Sequence, residues 1–127
     1  MTEPKIAGDI VLFENVTDEE IDISESDPDA DVGANFLKYR DKKLIFRNCP
    51  NLRTIDVSCL GLKGLEIENC PELGDLNASN NDLKKINLLK ANSKLEHISL
   101  NNNKLTLFNS RGLHSLKMLD VSSNKLA

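Results

Sequence analysis

Apolar residues recur along this chain at a spacing of about 21 residues, most clearly in its C-terminal half. Three copies follow the pattern L-x-x-L-x-L-x-x-N-x-L and begin at Leu73, Leu95 and Leu116. The alternation in L-x-L predicts a short strand with one face in the core and the other in solvent. A second alternating pair precedes the first two copies, Leu65 and Ile67 before one and Ile86 and Leu88 before the other, and predicts a return strand. Each repeat therefore predicts two short strands.

The repeat continues in weaker form toward the N-terminus. Before the three clear copies, Leu52, Ile55, Val57, Leu60 and Leu62 give a full apolar match, with Leu60 in the Asn position. We expect two further degenerate copies to contribute strands to the same sheet, with Ile21 and Ile23 as a return strand after the first. Their apolar positions hold Val11, Phe13 and Val16, and then Ala34, Phe36 and Tyr39.

Self-similarity at this period is typical of a solenoid, in which each unit buries its apolar face only against its neighbours. We predict a β-rich solenoid of about six units, with a parallel sheet on one face and short extended or irregular return segments. The repeated Asn is expected to turn inward and satisfy backbone groups. Residues 1–7 are predicted to be a tail and residues 8–127 one domain, in which residues 8–33 form a degenerate capping unit with an acidic loop at 24–31.

At these residues the chain resembles the leucine-rich repeat proteins. The alternation of L-x-x-L-x-L-x-x-N-x-L with the return segment Leu65-Glu-Ile-Glu-Asn-Cys-Pro-Glu-Leu73 is most similar to the 21-residue bacterial, internalin-type variant. The resemblance covers residues 34–127 well and residues 8–33 weakly. It implies a repeat fold that binds partners, and it is nearly silent on which partner, since this fold serves many.

The outward positions of the predicted sheet are small, polar and weakly acidic, which suits hydrogen bonding to a protein partner. Asp75 and His97 share one column, with Ser79 and Ser99 nearby, so a nucleophile, a base and an orienting acid come within reach. An open sheet face predicts neither a pocket nor oxyanion donors, and we therefore expect no enzyme activity and no cofactor. The predicted partner-binding residues are Asp56, Asp75, Asn77, His97, Ser99, Asn101, Met118 and Asp120.

Charge is distributed unevenly along the chain. Residues 1–31 hold 11 acidic residues and one basic residue, whereas residues 32–127 hold 9 acidic and 15 basic residues, so the net charge of −4 conceals a dipolar molecule. Many basic residues follow the Asn position of their repeats, and stacking would align them as a basic rim. We define the basic rim as Arg40, Lys42, Lys43, Lys63, Lys84, Lys85, Lys104 and Lys125.

The cysteines and acidic residues do not predict a metal site. No cysteine spacing is CxxC, as zinc sites commonly require. Cys49 and Cys70 occupy equivalent positions, about 5 Å apart if their strands are neighbours, which is compatible with two reduced thiols or with a disulfide. The aspartates within 24–31 have a calcium-loop spacing, but Val32 and Lys38 stand where that loop needs Gly and Glu.

We therefore expect a cytoplasmic, non-catalytic interaction module or scaffold subunit that binds a protein partner through the sheet face or the basic rim. No apolar stretch near the N-terminus has the length of a signal peptide or membrane span. The alternatives are a bacterial surface or secreted ligand-binding solenoid and weak nucleic-acid or anion binding by the rim. The exposed C-terminal edge, formed by Leu119, Val121 and Leu126, predicts self-association or a partner there.

Overall fold

The computed structural model describes residues 3–25, 34–91 and 93–126. These residues form ten strands and one short helix. The strands are β1 (Lys5–Ala7), β2 (Ile10–Glu14), β3 (Glu20–Asp22), β4 (Lys43–Arg47), β5 (Thr54–Asp56), β6 (Gly64–Glu68), β7 (Asp75–Asn77), β8 (Lys85–Lys90), β9 (His97–Ser99) and β10 (Met118–Asp120), and the helix is α1 (Ala34–Tyr39).

The strands lie in two five-stranded sheets. The first sheet has the order β1-β2-β4-β6-β8 and the second has the order β10-β9-β7-β5-β3. Within the described residues every neighbouring pair is parallel except β1 and β2. The chain passes from one sheet to the other, so strands from successive passages lie side by side. The expectation of a strand-rich fold with a parallel sheet is thereby confirmed, whereas the return segments, expected to be short and extended or irregular, form a second sheet.

The N-terminal end of the first sheet is an antiparallel hairpin. Ala7 pairs with Ile10, which leaves Gly8 and Asp9 as a two-residue turn. Gly8 has a φ of 59°, a left-handed conformation that glycine adopts without a steric cost from Cβ. Residues 5–7, expected to belong to a tail, are therefore a strand that occupies the edge of the first sheet.

The prediction was wrong about the sheet to which the N-terminal strands belong. Val11 and Phe13 lie in β2 of the first sheet, opposite Leu44 and Phe46, and not in the sheet that carries the predicted partner-binding face. Ile21 lies in β3 of the second sheet, opposite Ile55. The two pairs had been assigned to each other's sheets, because apolar alternation alone does not say which sheet a strand joins.

The second correction concerns Ala34, Phe36 and Tyr39, which lie in α1 and not in a strand. Tyr39 is fully buried. A Cβ on Gly61 would lie 3.1 Å from a ring carbon of Phe36. The helix is thus packed onto the turn that follows β5, within the longer passage that joins β3 to β4.

Alternating side chains of both sheets point inward and form one hydrophobic cluster. Strands β4 and β6 alternate strictly between buried and half-buried residues. Phe13 and Phe46, which are register partners, stack with ring centroids 4.7 Å apart and an interplanar angle of 8°. Apart from Tyr39 and the thiols of Cys49 and Cys70, the rest of the core is built from aliphatic side chains, whose burial is the main stabilising contribution.

Buried asparagines close the turns that follow the second sheet, as predicted. The side-chain Oδ1 of Asn81 accepts hydrogen bonds from the backbone N–H groups of Leu60 and Leu62, at 3.0 and 3.1 Å. Its Nδ2 donates to the carbonyl oxygens of Val57 and Ala78, both at 3.0 Å. One amide therefore satisfies backbone groups from two successive passages of the chain.

Asn103 and Asn124 make the equivalent bonds further along the sheet. Oδ1 of Asn103 accepts from the backbone N–H of Leu83, and Oδ1 of Asn124 accepts from that of Leu105, each at 3.0 Å. The three side chains thus tie each passage to the one before it.

The C-terminal end of the molecule is less regular. Glu66 pairs with Asn87 and Glu68 pairs with Lys90, so β8 carries one extra residue and bulges. This is where the sequence carries the additional Leu of the Leu88-Leu89 pair. Residues 100–117 contain no strand, so β8 is the last strand of the first sheet and β10 is the last strand of the second.

Candidate functional site

The predicted partner-binding residues lie in columns on the outer face of the second sheet. Thr54, Asp75, His97 and Met118 are successive register partners. The next outward column is Asp56, Asn77, Ser99 and Asp120. All eight side chains of these two columns are half-buried or exposed. The structure therefore brings together seven of the eight predicted residues in two columns, and Asn101 follows two positions after Ser99.

Local hydrogen bonds fix the direction of the carboxylates in the second column. Oδ1 of Asp56 accepts from the backbone N–H of Ser58 at 3.1 Å and from its hydroxyl at 2.8 Å. Asp120 and Ser122 make the same pair of bonds, at 3.0 and 2.6 Å. The Ser122 hydroxyl and backbone N–H stabilise the charged form and lower the pKa of Asp120. The second oxygen of each carboxylate is not used in these turns.

Asp75 and His97 form a polar pair between neighbouring strands of the face. Nδ1 of His97 lies 2.7 Å from Oδ1 of Asp75, and both side chains are about half exposed. The hydroxyl of the neighbouring Ser79 donates instead to Oδ1 of Asn77, at 2.8 Å. The arrangement thus orients an imidazole toward a carboxylate, while the Ser79 proton is held by the amide oxygen of Asn77, two residues before it.

The structure extends this face beyond the residues that the sequence predicted. Glu20 and Asp22 are the register partners of Thr54 and Asp56, so β3 adds an acidic end to both columns. Oδ1 of Asp22 accepts from the hydroxyl of Ser24 at 2.6 Å, repeating the turn seen at Asp56.

A recurring tetrapeptide was the signal that identifies this extra strand. Ile21-Asp-Ile-Ser24, Ile55-Asp-Val-Ser58 and Leu119-Asp-Val-Ser122 share one pattern, in which the Asp and Ser make the turn described above. A second sequence pattern, apolar-x-apolar followed by a charged residue and Asn, identifies strands of the first sheet. It occurs at Val11 to Asn15, Leu44 to Asn48 and Leu65 to Asn69.

We name the outer surface of the second sheet the acidic face. Its two columns carry five carboxylates, those of Glu20, Asp22, Asp56, Asp75 and Asp120, and one imidazole. Asp22 and Asp56 lie directly opposite each other on neighbouring strands, an arrangement of like charges that disfavours the isolated sheet. Carboxylates spaced along a regular sheet form a surface complementary to cationic groups.

Three of the eight residues of the basic rim form ion pairs with described carboxylates. Lys43 lies 3.0 Å from Glu66, Lys63 lies 3.7 Å from Asp41, and Lys104 lies 3.1 Å from Asp82. In the described part of the chain the other five rim residues form no ion pair, and they are Arg40, Lys42, Lys84, Lys85 and Lys125.

The C-terminal edge exposes residues that are buried elsewhere in the second sheet. Leu119 is 37% exposed, whereas its register partner Ile98 is fully buried. Leu126 is 38% exposed, and Val121 is half-buried. These three inward-facing side chains are the apolar surface of this end of the sheet.

The cysteines are free thiols. Cys49 and Cys70 are fully buried, and their sulfurs donate to the carbonyl oxygens of Arg47 and Glu68, at 3.4 and 3.6 Å. The interaction of the two neighbouring buried thiols lowers the pKa of Cys49 and raises that of Cys70. Cys59 is half-buried and has a φ of 60°. The buried pair is therefore part of the core, whereas the Cys59 thiol reaches solvent.

No three His, Cys, Asp or Glu side chains in the described ranges converge as a metal site. The predicted acidic loop lies largely outside these ranges, since residues 26–33 are not described. Among the residues that are described, no helix has the length and apolar character needed to cross a membrane.

Comparison of the chain with protein-family models, with curated proteins and with solved structures finds no match. The functional interpretation of the acidic face therefore depends on the chemistry of this chain alone.

Proposed function

We propose that the chain is a leucine-rich repeat solenoid that acts as a non-catalytic interaction module and binds a protein partner through the acidic face. The observation that carries this proposal is the alignment of polar side chains from five successive strands in two columns on one sheet surface. Parallel sheets are usually covered on both faces. The outer face of this parallel sheet carries polar side chains in its two columns except at Met118, and a protein partner is suited to cover such a face.

The chemistry of the acidic face favours a partner with lysine or arginine side chains. The acidic face has five carboxylates and only one imidazole. Local turns hold the side chains of Asp22, Asp56 and Asp120 in fixed directions. Fixed carboxylates lose little conformational freedom on binding, so more of the interaction energy contributes to affinity. Hydrogen bonds from lysine or arginine would use the one oxygen that each turn leaves available.

The Asp75–His97 pair fits this role better than catalysis. Both side chains are about half exposed, so water competes for their hydrogen bonds and the local dielectric is high. Enzymes achieve electrostatic stabilisation in sites from which water is excluded. We therefore assign the pair to orienting a polar contact.

Affinity capture of the tagged chain from its native cells tests the proposal. The variant Asp75→Ala, His97→Ala, Asp120→Ala removes three side chains of the acidic face, and we expect it to lose the captured partner. The control is Glu3→Ala, Glu72→Ala, His114→Ala, which removes the same types of exposed side chain elsewhere. Recovery of the same partners by the acidic-face variant and the wild type would rule out this face.

The alternative of a bacterial surface or secreted solenoid uses the same face for a different ligand. The internalin-type resemblance is what favours it. Fractionation of the native cells, with immunodetection of the chain, separates the two possibilities: recovery in the cytoplasm supports the interaction module, and recovery at the surface or in the medium supports the alternative.

A further inference from the structure

A groove with a volume of about 740 Å³ lies on the outer face of the first sheet, on the opposite side from the acidic face. Its floor is formed where Gly64 stands between its register partners Lys43 and Lys85. A Cβ on Gly64 would lie 3.1 Å from Cγ of Lys43. This outward position therefore adds no side chain to the groove. We name it the Gly64 groove.

One end of the Gly64 groove, the end nearest β8, carries positive charges that are not paired with any described carboxylate. Lys43 and Lys63 line it, but each is paired with a carboxylate that also lines it, Glu66 and Asp41 respectively. Lys84 and Lys85 line it as well and are exposed, and no described carboxylate lies within ion-pair distance of either. The end of the groove nearest β8 thus carries two ammonium groups without counter-charges.

The same end carries unusual apolar exposure. Leu107 is 70% exposed and Leu89 is 52% exposed, and both line the groove. Leu89 is at the bulge of β8, and Leu107 lies in the strandless segment that follows β9. The two leucines form an apolar surface that water solvates poorly. The two lysines beside them attract anions.

We propose that the Gly64 groove binds an acidic peptide segment of a partner protein, with an apolar side chain between Leu89 and Leu107 and carboxylates at Lys84 and Lys85. The volume is within the range of sites that enclose a few side chains. The proposal rests on the interaction role proposed above and adds a second surface, of opposite charge, to it. A chain with both surfaces would join a basic partner on one side to an acidic segment on the other.

Fluorescence anisotropy with a labelled synthetic peptide of repeating Asp-Leu-Asp triplets tests the groove directly. The protein is expected to bind it, and Lys84→Ala with Lys85→Ala is expected to weaken binding about tenfold. Leu107→Ser and the groove-filling Gly64→Val are expected to weaken it severalfold. The matched controls are Lys125→Ala, an unpaired rim lysine outside the groove, and Leu37→Ser, a leucine that is 56% exposed elsewhere. Circular dichroism checks that each variant is folded.

Four outcomes would overturn the proposal. They are no binding up to about 1 mM peptide, equal loss in the control variants, tighter lysine-dependent binding of single-stranded DNA of equal charge, and self-association that the groove variants abolish.

The acidic-face variant separates the two proposals. If it binds the peptide normally while partner capture is unaffected, the acidic-face proposal alone has failed. If it loses capture while the peptide never binds, the groove alone has failed.

Discussion

Asn81 is the side chain that joins most backbone groups in the described structure. It is buried, and its side-chain amide forms hydrogen bonds to backbone N–H and carbonyl groups. These groups lie in the segment after β5 and in the segment after β7. Replacing such an amide leaves buried polar groups without partners, which costs more than the bonds contribute when they are formed. The turn is therefore the point where a single residue most affects the second sheet.

We predict that Asn81→Ala lowers the free energy of unfolding by about 3 kcal/mol, because several buried backbone groups lose their partners. Urea denaturation followed by circular dichroism measures this. Asn51→Ala removes an exposed amide with one bond, to the carbonyl of Thr17 at 3.3 Å, and is expected to change the value by less than about 0.5 kcal/mol. Equal effects of the two substitutions would show that the inward amide is not what closes the turn.

At the scale of elements, α1 is the part of the fold that departs from strand-and-turn alternation. Six residues are too few for a helix that is stable alone, so its position depends on packing. Tyr39 is fully buried, and the Phe36 ring lies close to the turn at Gly61. The helix is thus held by the side chains of Phe36 and Tyr39.

Tyr39→Ala is expected to destabilise the protein by about 4 kcal/mol, since it removes a fully buried aromatic side chain. Leu37→Ala, in the same helix but 56% exposed, is the control and is expected to cost less than about 1 kcal/mol. Thermal unfolding of the two variants provides the comparison. A small effect at Tyr39 would mean that α1 is not anchored to the turn in solution.

The sequence predicts these elements unevenly, for physical reasons. Register columns such as Asp56, Asn77, Ser99 and Asp120 follow from the repeat spacing, because side chains one repeat apart become neighbours in a parallel sheet. The N-terminal sheet assignment does not follow from spacing, since Val11 to Phe13 and Ile21 to Ile23 alternate in the same way. The recurring Asp and Ser of the second sheet were the feature that distinguishes them.

The two candidate sites also differ in how far the repeat spacing predicts them. The acidic face was predicted except for β3, and its carboxylate directions depend on turns that only the local tetrapeptide indicates. The Gly64 groove was not predicted, although several of its lysines were. Its lining includes a glycine at position 64 and a bulge at Leu89, and neither leaves a periodic signal.

For the whole molecule, the opposite charges of the two surfaces are the main property. Two of the five carboxylates of the acidic face, Glu20 and Asp22, lie in residues 1–31, which hold 11 acidic residues and one basic residue, and the other three lie further along the chain. The rim and the groove draw theirs from the remainder. A chain of net charge −4 can therefore attract partners of both signs, with an affinity that falls as salt screens the charges.

The C-terminal edge gives a prediction at the same scale. Leu119 is 37% exposed where its register partner is fully buried, and β10 is an edge strand. The 127-residue chain is therefore expected to self-associate at high concentration, by burial of this surface. Light scattering measures the mass, and Leu119→Lys is expected to remain monomeric. A wild-type chain that is monomeric at all concentrations would contradict the prediction.

The central claim is that the acidic face receives the partner. The most direct measurement is a titration of the isotope-labelled chain with the captured partner, followed by chemical shifts of its backbone amides. The account predicts that the largest changes fall at Asp56, Asn77, Ser99 and Asp120 and at β3, whose acidic residues extend the same columns. Changes confined to the first sheet, with the second sheet unaffected, would contradict it.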